Sequence, residues 1–151
     1  MIQHSWSLIC NRCITDPTSK NVTLVEVLEQ INAPPGTVFP IMAPIQMDFV
    51  STWYRSDPNQ GERGTARVVV KWPNGGSSDD TQFAVDLTSF YRARIVTRSA
   101  GIKLVGPGIY YFTLDLKQDG EAEWRNVARI PLSVAIAEGA ITLQGGALTM
   151  Q

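Results

Sequence analysis

The chain has 151 residues and a mass of 16.6 kDa, which is one domain's worth by length. Hydrophobic residues make up 44% and charged residues 18%, and 13 basic against 14 acidic side chains give a net charge of −1. Such a chain can fold without a metal or disulfide staple, and it is not a broadly cationic nucleic-acid binder. No apolar run approaches the ~20 residues that span a bilayer. Met1-Ile2-Gln3-His4-Ser5-Trp6 shows no basic stretch ahead of an apolar one. The expectation is a cytoplasmic protein with no membrane contact. Two cysteines are too few for a secreted disulfide scaffold, and the lone His4, beside an expectedly mobile terminus, gives no basis for a catalytic triad.

Taken in chain order, Trp6, Leu8 and Cys10 alternate with Ser5, Ser7, Ile9 and Asn11, which predicts a strand with the first set inward. Residues 22–31 fit both periods. Leu24, Val27, Leu28 and Ile31 stand at helical spacing, but β-branched Val22, Thr23, Val25 and Val27 favour a strand. Pro34, Pro35, Pro40 and Pro44 make residues 32–44 an extended connection between sheets. Ile45, Met47, Phe49 and Trp53 then alternate with Gln46, Asp48, Thr52 and Tyr54, and residues 56–64 form a polar loop. Val68, Val70 and Trp72 form the next inner face, closed by the turn Pro73-Asn74-Gly75-Gly76, and Phe83, Val85 and Leu87 follow. Residues 92–98 carry β-branched residues with no clean inner face, which suits an edge strand. Tyr110, Phe112, Leu114 and Leu116 give the clearest inner face. The turn Gln118-Asp119-Gly120 pairs that strand with Ala128, Ile130, Leu132, Val134 and Ile136 as a hairpin. Pro131 places the last strand at an edge or gives it a bulge. The pattern predicts one all-β domain over residues 1–138, a sandwich or barrel. An uncharged tail at 139–151 follows, with Ile141, Leu143, Leu148 and Met150 around Gly145-Gly146, a candidate added strand.

The order of features resembles a family of short bacterial proteins of uncharacterised function that form stand-alone immunoglobulin-like sandwiches. The residues that carry the resemblance are the N-terminal strand pair ending near Ile31, the Pro-rich passage to Phe39-Pro40 and the aromatic strand at Phe49–Tyr54. Trp72-Pro73-Asn74-Gly75, Phe83-Ala84-Val85-Asp86-Leu87 and Gly101-x-x-Leu104 follow, and Pro107-Gly108-x-Tyr110-x-Phe112-x-Leu114 with Pro131-Leu132-Ser133-Val134 closes the pattern. The resemblance covers residues 5–136. It implies an immunoglobulin-like antiparallel β-sandwich of about seven to nine strands and a bacterial or phage origin, and it carries over no catalytic residue.

Cys10-Asn11-Arg12-Cys13 is a lone CxxC with no second pair to complete a zinc site. In a strand, residues i and i+3 face opposite sides, so Cys10 is expected inward and Cys13 outward, both structural. Asp79-Asp80 and Glu121/Glu123 sit at turns and read as solvated. Phe90-Tyr91-Arg92-Ala93-Arg94, with Arg98, interleaves rings and guanidinium groups as single-strand nucleic-acid surfaces and protein hot spots do, although the plainer role is a charged, protected edge. Trp6, Trp53 and Trp72 are expected in the core, and Trp124 half exposed.

The expected function is a non-catalytic protein-binding or accessory module working through loops and sheet edges. Its candidate surface comprises Tyr91, Arg92, Arg94, Arg98 and Trp124, with no cofactor, no metal and an unidentified protein partner. The tail offers a route to homo-oligomers. A nucleic-acid-binding accessory is the alternative, disfavoured by net charge, and an enzyme finds the least support because no nucleophile, base and orienting group can be assembled.

Overall fold

The computed structural model describes residues 1–138, and the expectations for the tail at 139–151 lie outside the described residues. The described residues form eleven strands and no helix, more than the seven to nine expected, because the short pieces Gln30–Ala33, Ile41–Ala43 and Ile102–Leu104 pair as strands of their own. The strands are β1 (Ile2–Thr15), β2 (Val22–Val27), β3 (Gln30–Ala33), β4 (Ile41–Ala43), β5 (Met47–Arg55), β6 (Glu62–Lys71), β7 (Thr81–Leu87), β8 (Arg92–Ser99), β9 (Ile102–Leu104), β10 (Gly108–Gln118) and β11 (Arg125–Ile136). A four-stranded sheet has the order β2-β1-β5-β8 and a five-stranded sheet the order β3-β11-β10-β6-β7, while β4 and β9 make a short ladder of their own. The fold is therefore all-β. No helix among the described residues is long and apolar enough to cross a membrane.

The β10–β11 hairpin forms as its alternation dictates, with register from Gly108↔Val134 to Leu116↔Arg125. Tyr110, Phe112, Leu114 and Leu116 are buried against Leu132 and Val134. Ile136, at the strand's end, is exposed instead. The bulge falls between Leu114 and Asp115 rather than at Pro131. At Pro131 the strand is locally an edge, although β3 covers β11 further on. Ser133 N–H points away from β10, donating to Glu29 O at 3.0 Å, and strand alternation turns the Pro131 nitrogen to that same side. There β3 pairs, in parallel, only from Ser133 onward, so Pro131 costs the ladder no bond.

The core lies between the two sheets. Phe49 and Trp53 of β5 meet Phe112, Leu114 and Leu132 from the facing sheet, and the Phe49 and Phe112 rings stack with centroids 6.3 Å apart. Each large apolar side chain buried here contributes about 1.5–3 kcal/mol. The Tyr110 hydroxyl closes one end. It donates to Gly106 O at 2.7 Å and accepts from Val105 N at 2.8 Å and Gly106 N at 3.2 Å, pinning the approach to β10.

Three expectations need correction. Residues 22–31 are extended but split between the sheets. Glu26 takes a positive φ of 51°, uncommon for a residue with a Cβ, and the chain leaves β1 at Leu28-Glu29 to join β11 as β3. The Pro-rich passage then carries the chain back through β4 to β5. Second, β1 contains a bulge. The pairs run Ile2↔Arg55 to His4↔Trp53, then resume at Trp6↔Thr52 with Ser5 as the extra residue. From there the facing inverts, so Ile9 enters the core while Trp6, Leu8 and Cys10 face outward. Third, His4 is held in place: its Nε2 is 2.6 Å from Ser7 Oγ and its ring meets Trp53 edge-on at 5.3 Å.

Candidate functional site

The inverted facing of β1 furnishes the outer surface of the four-stranded sheet. Antiparallel registers align side chains of β1, β5 and β8 into cross-strand rows on that surface. The rows are Cys10–Asp48–Arg98, Leu8–Val50–Val96, Trp6–Thr52–Arg94 and Gln3–Tyr54–Arg92. The face therefore grades from an ionic row, through an aliphatic one, to two rows of rings and guanidinium groups.

The last two rows form a cleft of about 410 Å³, within the range typical of ligand sites. Trp6, Thr52 and Tyr54 line it with Arg92 and Arg94 of the edge strand, and Lys20 and Asn21 from the β1–β2 turn close the far wall. That turn is built by Asp16, whose carboxylate accepts from Thr18 N at 2.8 Å and Ser19 N at 2.7 Å, bonds that hold the Asp16 carboxyl below its ordinary pKa. Lys20 then adopts a positive φ of 63°, its N–H bonded to Asp16 O at 3.0 Å. Arg94 Nη2 donates to Lys20 O at 2.7 Å, so the edge strand and the turn are fastened across the face.

The cations of the cleft differ from the three arginines that are paired with carboxylates. Arg63, Arg67 and Arg98 pair with Asp86, Asp115 and Asp48. Among the described residues no carboxylate lies within ion-pair distance of Lys20, Arg92 or Arg94. Asp16, the acid of the neighbouring turn, is occupied by that turn's own amides. The cleft is thus a cationic pocket with aromatic walls.

The candidate residues read from sequence separate into three groups. Arg92 and Arg94 line the cleft, and Tyr91 stands at its margin, half exposed, with its ring 6.2 Å from that of Tyr54. Arg98 shares their face but is engaged by Asp48, with Nε 3.3 Å from Oδ1. Trp124 is elsewhere, under Arg67 at 4.3 Å and Lys117 at 4.9 Å on the outer surface of the other sheet. It completes a cation–π stack there and does not join the arginines. Trp6, Lys20, Asn21, Thr52 and Tyr54 are among the lining residues that pattern reading did not reach.

The ionic row also corrects the reading of the CxxC. Cys10 and Cys13 are both free and both buried, in one small cluster with Val50, Leu8, Leu24 and Val96. Past Cys10, β1 no longer has β5 beside it, and the Asp48 carboxylate takes over that position, accepting from Cys13 N at 2.8 Å. Burial raises the Cys10 pKa to about 11, helped by the neighbouring Cys13 and Asp48. Burial also raises Cys13, against the pull of Arg94. Both thiols are protonated at neutral pH, the opposite of what a redox or nucleophilic cysteine needs. Among the described residues no group of three or more His, Cys, Asp and Glu side chains is placed to hold a metal.

No protein-family model matches the chain, and no curated protein matches it either.

Proposed function

We propose that this chain is a non-catalytic binding module, of bacterial or phage origin, that holds an acidic segment of a protein partner in the cleft between the β1–β2 turn and the β8 edge. The observation that carries this reading is the trio Lys20, Arg92 and Arg94, left without carboxylate partners around Trp6 and Tyr54. Cations held in fixed positions beside rings suit the carboxylates of a peptide, whose aliphatic stems can lie against the rings. The net charge of −1 favours a local acidic ligand over a long polyanion, whose retention depends on many phosphate contacts. A cytoplasmic setting belongs to the same reading and rests on the low cysteine count.

The finer fold assignment is part of the proposal as well. An immunoglobulin-like sandwich is supported by the order of strands in the two facing sheets, by the parallel pairing of β3 with β11, and by a buried tyrosine at the start of β10 whose hydroxyl returns to backbone a few residues upstream.

The test is a titration of tryptophan fluorescence with a poly-glutamate peptide and, separately, with single-stranded oligothymidine at several salt concentrations. The peptide is expected to perturb Trp6, and the double variant Arg92→Glu/Arg94→Glu to abolish the response while circular dichroism stays unchanged. Binding of the oligonucleotide alone, with a steep salt slope, moves the assignment to nucleic acid. No response to either probe removes the cleft as a binding site.

A further inference from the structure

We propose that a second, apolar groove, on the flank between β7 and β8, is the seat of the chain's own C-terminal segment, docked as an added strand. β7 and β8 are edge strands of different sheets, joined at one end by residues 88–91. At the other end a groove of about 240 Å³ opens between them, with Thr81 on one lip and Ser99 on the other. Its floor is the main core: Phe49, Val68, Val70 and Phe112. Met42 on its rim is 64% exposed, so apolar surface continues outward from the floor. The groove is smaller than typical small-molecule sites and is flanked by two unpaired main-chain edges, which suits an inserted strand.

The chemistry of the tail fits this groove. Residues 139–151 hold no charged side chain, and Ile141 and Leu143 alternate with Thr142 and Gln144, as Leu148 and Met150 do around Thr149. Each run taken as a strand shows one apolar face and one polar face; the two runs are out of phase across Gly145-Gly146, and the first, nearer β11, is the one the groove takes.

The path fits as well. The last rungs of β11 lie beside the start of β10, with Val134 opposite Gly108. Gly108 packs so closely on Pro73 that a Cβ there would stand 2.7 Å from Pro73 Cβ. Trp72, the next residue back, lines the groove. β10 alone separates β11 from β6, so the crossing is about 10 Å, two strand spacings. Residues 139–151 reach up to about 43 Å when extended. A tether this short gives an effective concentration in the millimolar range, which favours the chain's own groove over that of a second copy.

The experiment compares the full chain with a chain ending at Glu138. The shortened form is expected to bind anilinonaphthalene sulfonate with several-fold higher fluorescence and to shift the Trp72 indole N–H resonance. A synthetic peptide of residues 139–151 is expected to reverse both changes, and light scattering to give one chain's mass for both forms. Leu143→Glu in the full chain, which leaves residues 1–138 unaltered, is expected to reproduce the truncation. Unchanged dye binding and an unchanged Trp72 resonance on truncation overturn the proposal. So does a full-length dimer that truncation dissolves, because the tail then serves a neighbour. None of these readouts depends on the cleft, so either proposal can fail alone.

Discussion

The carboxylate of Asp48 is fully buried and faces the guanidinium of Arg98 across the β5–β8 register, with Oδ1 3.3 Å from Nε. Its other oxygen accepts from Cys13 N at 2.8 Å. Arg98 is 63% exposed, so the pair brings one buried charge under the cover of a surface cation. Removing one partner leaves a charge without compensation, which costs more than the pair itself is worth. Arg98→Ala is expected to cost about 1–3 kcal/mol, discounted for the water that reaches the guanidinium. Asp48→Asn in that background is expected to recover part of the loss, since it removes the stranded charge and keeps an acceptor for Cys13 N. Urea denaturation of the four proteins in a double-mutant cycle checks this, and additive losses would contradict the coupling.

The buried thiols predict a pH dependence. Cys10 in the folded chain titrates near 11 and Cys13 is raised too, whereas an unfolded cysteine titrates at about 8.5. Above about pH 8.5 the unfolded chain releases protons that the folded chain keeps. Stability is therefore full below that pH and declines as pH rises toward the folded pKa. Urea midpoints from pH 7 to 10 are expected to fall, and Cys10→Ala to flatten the slope despite lower stability at pH 7. Ellman's reagent is expected to label neither thiol in the native chain and both in denaturant.

The Tyr110 hydroxyl serves two backbone donors and one acceptor. Tyr110→Phe keeps the ring in its place and strands these groups in a part-buried corner. A loss of about 1–3 kcal/mol is expected. A stability equal to that of the parent chain would show that water takes over all three partners.

Phe112 and Thr113 test the facing of β10. Phe112 is buried and stacked on Phe49, so Phe112→Ala is expected to cost about 3–5 kcal/mol. Thr113 points to the other surface, yet its Oγ1 donates to Val69 O at 3.0 Å. Thr113→Val is expected to cost about 0.5–1.5 kcal/mol. Equal losses would contradict the facing.

The hairpin β10–β11 was legible because its inner face is continuous and its outer face polar. β5 was only half legible: Met47, Phe49 and Trp53 show the inner face, but nothing local marks Asp48 and Val50 as buried too. Their burial comes from the strands on either side, from Cys10, Cys13 and Val96, which are close in space and distant in sequence. On β1 a single extra residue, Ser5, inverts everything after it, and a period-two reading carries no signal for such an insertion. The same inversion hid Trp6 from the candidate site. Arg92 and Arg94 were visible because they stand two apart on one strand. Lys20 reaches them only through a turn whose left-handed backbone belongs to no residue type that announces it.

The parallel seam between Gln30–Ala33 and Ser133–Ile136 joins the first quarter of the described chain to its last strand. On the ribosome, β3 therefore waits without its neighbour until almost the whole domain has been synthesised. During that interval its backbone donors and acceptors are open to any passing extended peptide. A nascent chain that stops before residue 133 leaves that short strand without its only ladder partner, and its four-residue length limits what it can offer to another chain.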